Sequence, residues 1–249
     1  LAHVGPHAIE WIVVDLACLL AGLVHVALHD DEPATVLEER IAWLAPRGCV
    51  ASGGRLVRGL RATVPPPQPL WRVDREAVFT GLADRAAACD PDAPAAIFLS
   101  SGTTGHPRGV VHSQRALAWN ATASSGVFLD DPRDVRLSWL PLAHAYARVG
   151  DLYTALVRGG ALVVVGDRRQ VLDACRATAP TVILGVPVFF ERIAAGVAAG
   201  RITDLPAALG GAVRVCVSGG APLKDRTAAV FAAGGVPLVQ GYGLSLIHI

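Results

Sequence analysis

Short apolar runs alternate with segments of helical period along most of this chain, and turn residues separate them. Ile9 to Ala21 has the period of a helix and closes at Gly22, and Leu23 to Leu28 reads as the strand that follows. Thr35 to Leu44 is a second helix, set between Pro33 and Pro46. From Asp92 onward the rhythm is regular. Strands are expected at Ala95 to Leu99, Arg136 to Leu140, Ala161 to Val165, Thr181 to Gly185, Val213 to Ser218 and Pro237 to Gln240. Helices are expected at Gln114 to Ala123, Gly150 to Val157, Val171 to Thr178, Val188 to Ala198 and Leu223 to Ala233. That order predicts the α/β class, with doubly wound, mostly parallel sheets. Ligands of such sheets sit beyond the carboxyl ends of the strands, so the loops after Leu99, Val217 and Gln240 are expected to converge. The proline-rich stretch Val64 to Pro69 reads as an exposed connection.

The loop after Leu99 carries the clearest chemistry. Phe98 to Val110 reads FLSSGTTGHPRGV, in which small residues let backbone amides approach an anion. The hydroxyls of Ser100, Ser101, Thr103 and Thr104 add donors, and Arg108 adds a fixed positive charge. This is not the Walker pattern G-x-x-x-x-G-K-S/T, which needs glycine where Pro107 stands. The run resembles the phosphate loop of the adenylate-forming, or AMP-binding, superfamily, S/T-S-G-T-T-G-x-P-K-G, with Arg108 in place of lysine. Further matches follow in the superfamily's order. Ser138 to Val149, SWLPLAHAYARV, resembles the acyl-CoA synthetase motif around His144 and Arg148, with Ala147 where glutamate is usual. Pro180 to Ile193, PTVILGVPVFFERI, resembles the fatty-acyl ligase version of the next motif, SGGAPL at Ser218 to Leu223 resembles the adenine loop, and QGYGLS at Gln240 to Ser245 resembles the last.

The resemblance implies that a carboxylic acid, by this pattern a fatty acid, is activated by ATP to an acyl-adenylate and passed to coenzyme A. It implies that Ser100, Ser101, Gly102, Thr103, Thr104, Gly105, Arg108 and Gly109 hold phosphate, with Thr104, Arg108 and His144 closest to the chemistry. Adenine is expected against Gly219, Gly220, Ala221 and Pro222 on one side and Gln240, Gly241, Tyr242 and Gly243 on the other. Val186, Val188 and Phe189 are expected to line the acyl pocket, with packing in the core as the other reading of each. The resemblance implies Mg2+ as a cofactor beside ATP and coenzyme A; family members hold it with an acid after the position of Ser245, and here position 246 is leucine, so no metal-ligating residue is expected in this sequence. Luciferase-like, aryl-CoA and acyl-AMP ligases share the nucleotide motifs, and a nucleotide-binding remnant without catalysis is the rival of a different class.

Composition narrows the picture. With 52% hydrophobic and 17% charged residues the chain is globular, and 22 basic against 21 acidic residues give a formal charge of +1. No global field attracts nucleic acid, so an anion site must be local. The 5 cysteines are widely spaced, without a C-x-x-C pair, which suits a reducing, cytoplasmic setting. The apolar stretch Trp11 to Leu28 contains Asp15 and His25 and is not expected to span a membrane, while peripheral membrane contact stays open. His3 with His7, and His25 with His29, have zinc-like spacing but no third ligand beside them, so no metal site is expected there. Residues 1–243 are expected to be part of the N-terminal adenylation domain, and Leu244 to Ile249 a non-native, adaptor-derived tail. The small C-terminal domain with its catalytic lysine is expected to be missing, leaving this polypeptide without turnover.

Overall fold

The computed structural model describes residues 1–51, 62, 63, 84, 87–99 and 108–241. The chain divides into two compact units, Leu1–Leu117 and Ala118–Ile249. The proline-rich stretch 64–69 and the tail from 242 onward lie outside the described residues.

The first unit is a six-stranded sheet made of β1 (Ala2–Val4), β2 (His25–Leu28), β3 (Cys49–Ala51), β4 (Ala62–Thr63), β5 (Pro94–Leu99) and β6 (Gly109–Ser113). Its order is β4-β3-β1-β2-β5-β6, parallel throughout except for the antiparallel β5/β6 pair. Both faces are covered, and the two-residue period of the strands shows how. Ala2, Val4 and Leu28 pack with Leu37 and Ile41 of helix Ala34–Leu44. His3 and His25 meet instead, Nδ1 to Nε2 at 3.2 Å, and His25 Nδ1 lies 3.0 Å from Asp15 of helix Ile9–Leu20. Trp11 of that helix packs on both imidazoles, at centroid distances of 5.6 and 5.4 Å. These histidines are thus core partners, and among the described residues no group of His, Cys, Asp and Glu assembles a metal site. No helix among the described residues is long and apolar enough to cross a membrane.

The second unit is a five-stranded parallel sheet of β7 (Val135–Ser138), β8 (Ala161–Val164), β9 (Val182–Gly185), β10 (Val215–Ser218) and β11 (Leu238–Gln240), in the order β11-β10-β9-β7-β8. Helices Val171–Thr178, Pro187–Ala198 and Asp225–Ala233 connect its strands. Phe190 and Phe231, both fully buried, join the last two helices edge to face at 5.6 Å.

The expected alternation holds, with differences that have local causes. The helix expected over Gly150 to Val157 is a π-helical turn, Arg148–Tyr153, continued by helix Thr154–Arg158. A Cβ on Gly150 would stand 2.6 Å from Leu184, so glycine lets this turn lie against β9. β6 pairs antiparallel with β5 and stands where a direct run into helix Gln114–Val127 was expected. The helix expected from Leu223 begins at Asp225, with Pro222 ahead of it; Lys224 is the residue at its N-cap and pairs with Glu191 at 2.9 Å.

A charged clasp closes one end of the second unit. Arg214 donates to Asp134 at 2.8 and 2.5 Å and to Asp130 at 2.9 Å, and Arg136 donates to Asp130 at 2.6 Å. Thr181 Oγ1 donates to Asp134 at 2.6 Å, and the Asp131 amide does so at 2.8 Å. Burial alone pushes Asp134 up, but Arg214, the Asp131 amide and Thr181 outweigh it and hold the carboxyl at about 2. A carboxyl held below its ordinary value of 3.8 contributes stability that is present above that pH and is lost as pH falls towards 2. Asp134→Asn is expected to cost about 1.5–3 kcal/mol at neutral pH. Urea midpoints of the variant should also fall less steeply than those of the parent between pH 4 and pH 2.

Candidate functional site

The order of the second sheet reverses beside β7: the chain crosses from β7 outward to β8, then returns past β7 to β9 and moves on to β10 and β11. A crevice is expected beyond the carboxyl ends of β7 and β9, where the chain departs in opposite directions. The histidine loop leaves β7 after Ser138 and Val186 leads from β9 into helix Pro187–Ala198, while beside them the glycine loop leaves β10 after Ser218 and Gly241 leaves β11.

Hydrogen bonds tie these segments together. The Gly219 amide donates to Gly185 O at 3.0 Å, and the Gly241 amide donates to Ser218 O at 2.8 Å. Gln240 Oε1 accepts from the Leu223 amide at 3.3 Å. Tyr146, two residues after His144, donates its hydroxyl to Val217 O at 2.9 Å. Its ring takes the space beside Gly219, where a Cβ would come within 2.7 Å of it. Burial raises the Tyr146 phenol above its ordinary range and nearby Asp151 raises it further, so the hydroxyl remains a donor. Gly220 is exposed and has a φ of +83°, a conformation glycine adopts without strain. A Cβ there would lie 3.9 Å from Val186, so the glycine loop runs over the turn that follows β9.

Of the residues expected to frame adenine, Gly219, Gly220, Ala221, Pro222, Gln240 and Gly241 are therefore gathered at the ends of adjacent strands β10 and β11. Gly219 is buried, and Gly220, Ala221 and Pro222 are exposed. Tyr242 and Gly243 lie outside the described residues, as do Ser100, Ser101, Gly102, Thr103, Thr104 and Gly105. The expected convergence of loops is met by those after Val217 and Gln240, and the loop after Leu99 lies outside the described residues.

Arg108 is exposed in the first unit, immediately before β6. Gly109 pairs with Leu99 across the hairpin, and a Cβ on it would stand 2.9 Å from Ile97, so packing within the hairpin accounts for this glycine. His144 is exposed at the start of the short helical turn Ala145–Ala147, and its amide donates to Pro141 O at 3.0 Å. Arg148, whose usual glutamate neighbour is replaced by Ala147, is fully buried and donates through Nε to Tyr153 at 2.8 Å.

The expected acyl-wall residues separate. Phe189 is half-buried and stacks on Trp139 at 4.7 Å, and Val186 is half-buried beside Gly220. Val188 is 52% exposed. Trp139 and Tyr146 were not singled out by sequence; Trp139 Nε1 donates to Leu184 O at 2.8 Å and so fixes the histidine loop to β9. Both lie inside the SWLPLAHAYARV motif, and an aromatic two residues after a loop histidine was the available signal.

Comparison with known proteins gives a consistent result. A protein-family model described as AMP-binding enzyme matches residues 1–245. The long-chain-fatty-acid–CoA ligase FadD15 of Mycobacterium bovis is 27% identical over 95% of this chain and 50% of its own length. A feruloyl-CoA synthase of an Amycolatopsis species is 29% identical over 98% of this chain and 48% of its own length. The chain thus spans about half the length of these curated relatives. Among solved structures, a malonyl-CoA ligase ternary product complex with methylmalonyl-CoA and AMP bound superposes with a TM-score of 0.78 at 27% identity, over 98% of this chain and 52% of that one. The N-terminal domain of FACL13 from Mycobacterium tuberculosis shares the fold, with a TM-score of 0.72 at 20% identity over 98% of this chain and 62% of that one.

Proposed function

Because the chain belongs to the AMP-binding enzyme family, we propose that it binds ATP at the Gly219 and Gly241 loops and is the nucleotide-binding part of an acid-CoA ligase. The observation that carries the reading is the joining of the glycine loop to the last motif through the Gly241 amide at 2.8 Å, at the carboxyl ends of β10 and β11. Of the three glycines, Gly220 is the exposed one with room beside it, and it leaves a flat purine free to approach the main chain there.

In the proposed reaction a carboxylate oxygen of the substrate attacks the α-phosphorus of ATP. The bond between the α- and β-phosphates breaks, and pyrophosphate leaves with the electron pair. The thiol of coenzyme A then attacks the acyl carbonyl and AMP departs, giving the thioester. Arg108 and the hydroxyls of Ser100, Ser101, Thr103 and Thr104 are assigned to charge developing on the β- and γ-phosphates. His144, exposed at the mouth of the loop after β7, is assigned to orient the substrate carboxylate. Mg2+ is the proposed counter-ion of the phosphates; the family's acid would stand at position 246, which is leucine within the stretch expected to be non-native, so no residue of this chain is assigned to hold it.

A fatty acid is the substrate we favour, supported by the acyl-ligase form of the Pro180 to Ile193 motif and by the half-buried apolar pair Val186 and Phe189. The feruloyl-CoA synthase and malonyl-CoA ligase relatives supply the second reading, an aryl or short dicarboxylic acid. Residues 1–243 are the proposed part of the N-terminal adenylation domain, and a cytoplasmic setting fits the widely spaced cysteines. A panel of fatty, aryl and dicarboxylic acids separates the substrate readings when each acid is titrated into the chain saturated with a non-hydrolysable ATP analogue. Binding of the fatty acids alone is expected, and binding of ferulate or malonate in their place overturns the preference.

A further inference from the structure

The π-helical turn Arg148–Tyr153 holds an acid that the proposed reaction does not use. Asp151 is wholly buried, and neither carboxyl oxygen has a hydrogen-bond partner among the described residues. The guanidinium beside it is that of Arg136 on β7, whose Nη1 lies 3.8 Å away and donates to Gly150 O at 2.7 Å. The other arm of Arg136 is taken by Asp130, which also receives Arg214, and Arg214 is shared with Asp134. Arg136 and Arg214 thus spend their close contacts on Asp130 and Asp134, and Asp151 is left with the 3.8 Å approach of Arg136. An ionised carboxylate without hydrogen-bond donors is costly to bury, so this packing accepts the neutral form.

The remaining titratable neighbours do not change that balance. Tyr146, on the preceding helical turn, spends its hydroxyl on Val217 O, and Cys216 on β10 has its thiol pushed up to about 12 by burial. Arg148 on the same turn is bonded to Tyr153, and β9 contributes apolar Leu184 against Gly150. Burial pushes Asp151 up to about 7 against the opposing pull of Arg136.

The turn is also wedged in place. Gly150 lies against Leu184 with no room for a Cβ, so the turn is seated directly on β9. Tyr146, which packs on Gly219, enters this turn directly from the N-terminal side. We propose that Asp151 is a proton-controlled positioning residue for the glycine loop. As the neutral acid it lets the π-helical turn close and hold Tyr146 against Gly219. When its proton passes to solvent, the turn opens and the loop loosens. The proton-binding and opening steps stand on the fold alone, and only the consequence for ATP rests on the function proposed above.

The sign follows from a folded value of about 7 against an ordinary 3.8: the stabilisation is complete below pH 3.8 and is lost as pH rises through 7. The test combines infrared spectra with amide hydrogen exchange of residues 145–153 and 217–220, on the full chain and on Asp151→Asn, at pH 6 and pH 8. A protonated-carboxyl band at pH 6 that fades by pH 8 and is missing from the variant is expected. Exchange in both segments should rise between these pH values by about tenfold more than the intrinsic chemistry requires, in the parent only. ATP affinity of the parent should fall over the same interval by about tenfold, with the variant insensitive to pH. Absence of the band from the parent at pH 6, or pH-independent exchange in the parent, overturns the proposal. If the chain binds no ATP at either pH, the nucleotide reading fails while the band and the exchange still decide the role of Asp151.

Discussion

Replacing Arg136 with methionine is expected to destabilise the second unit by about 3–5 kcal/mol. The side chain is 2% exposed and is the only cation that reaches Asp130 from the β7 side among the described residues. Methionine keeps an unbranched apolar stem as far as the Nε position, so the change removes the guanidinium with its charge and donors. Asp130 then keeps only Arg214, Asp151 loses its nearby cation, and Gly150 O loses a donor at 2.7 Å. The cost is that of stranding the buried partners, since a surface pair contributes far less. Urea unfolding followed by tryptophan fluorescence measures it. A loss below about 1 kcal/mol, the scale of an exposed pair, would show that the clasp is solvated.

Gly219→Val is expected to weaken ATP binding by about tenfold to a hundredfold, the equivalent of an overpacking cost of about 1–3 kcal/mol. A single Cβ already stands 2.7 Å from the Tyr146 ring, and the branched side chain adds two methyl groups to that conflict. Either Tyr146 leaves its bond to Val217 O or the glycine loop lifts from Gly185 O, and both shift the surface on which adenine is proposed to lie. Gly219 has no positive φ, so backbone strain is not the cause and the clash should be removable from the other side. The double variant Gly219→Ala with Tyr146→Ala should therefore bind ATP better than the product of the two single effects. Strict additivity would mean that the ring and the glycine do not act as a pair.

The alternation of strand and helix was legible because parallel strands covered on both faces read as continuous apolar runs, as VILG does at Val182–Gly185. The strands that escaped have other signals. Ala2–Val4 is three residues long with His3 at its centre, and that histidine is buried by pairing with His25 across the sheet. Gly109–Ser113 opens with glycine and ends in polar residues, so it reads as a loop until Leu99 pairs with Gly109. The glycines of the site were legible from composition, since no core segment requires SGGAP or QGYG. The reason for Gly219 was not, because Tyr146 is 73 residues away in sequence, the separation of positions 146 and 219. The π-helical turn was likewise hidden: Arg148 to Tyr153 keeps an ordinary helical pattern, and its departure follows from the approach of Gly150 to Leu184.

The most direct test of the account is a calorimetric titration of the full chain with ATP, repeated in the presence of excess AMP. One saturable site, blocked by AMP and weakened by Gly219→Val, is the predicted result. No saturable binding, or binding that Gly219→Val leaves unchanged, would contradict the assignment of the nucleotide to the Gly219 and Gly241 loops.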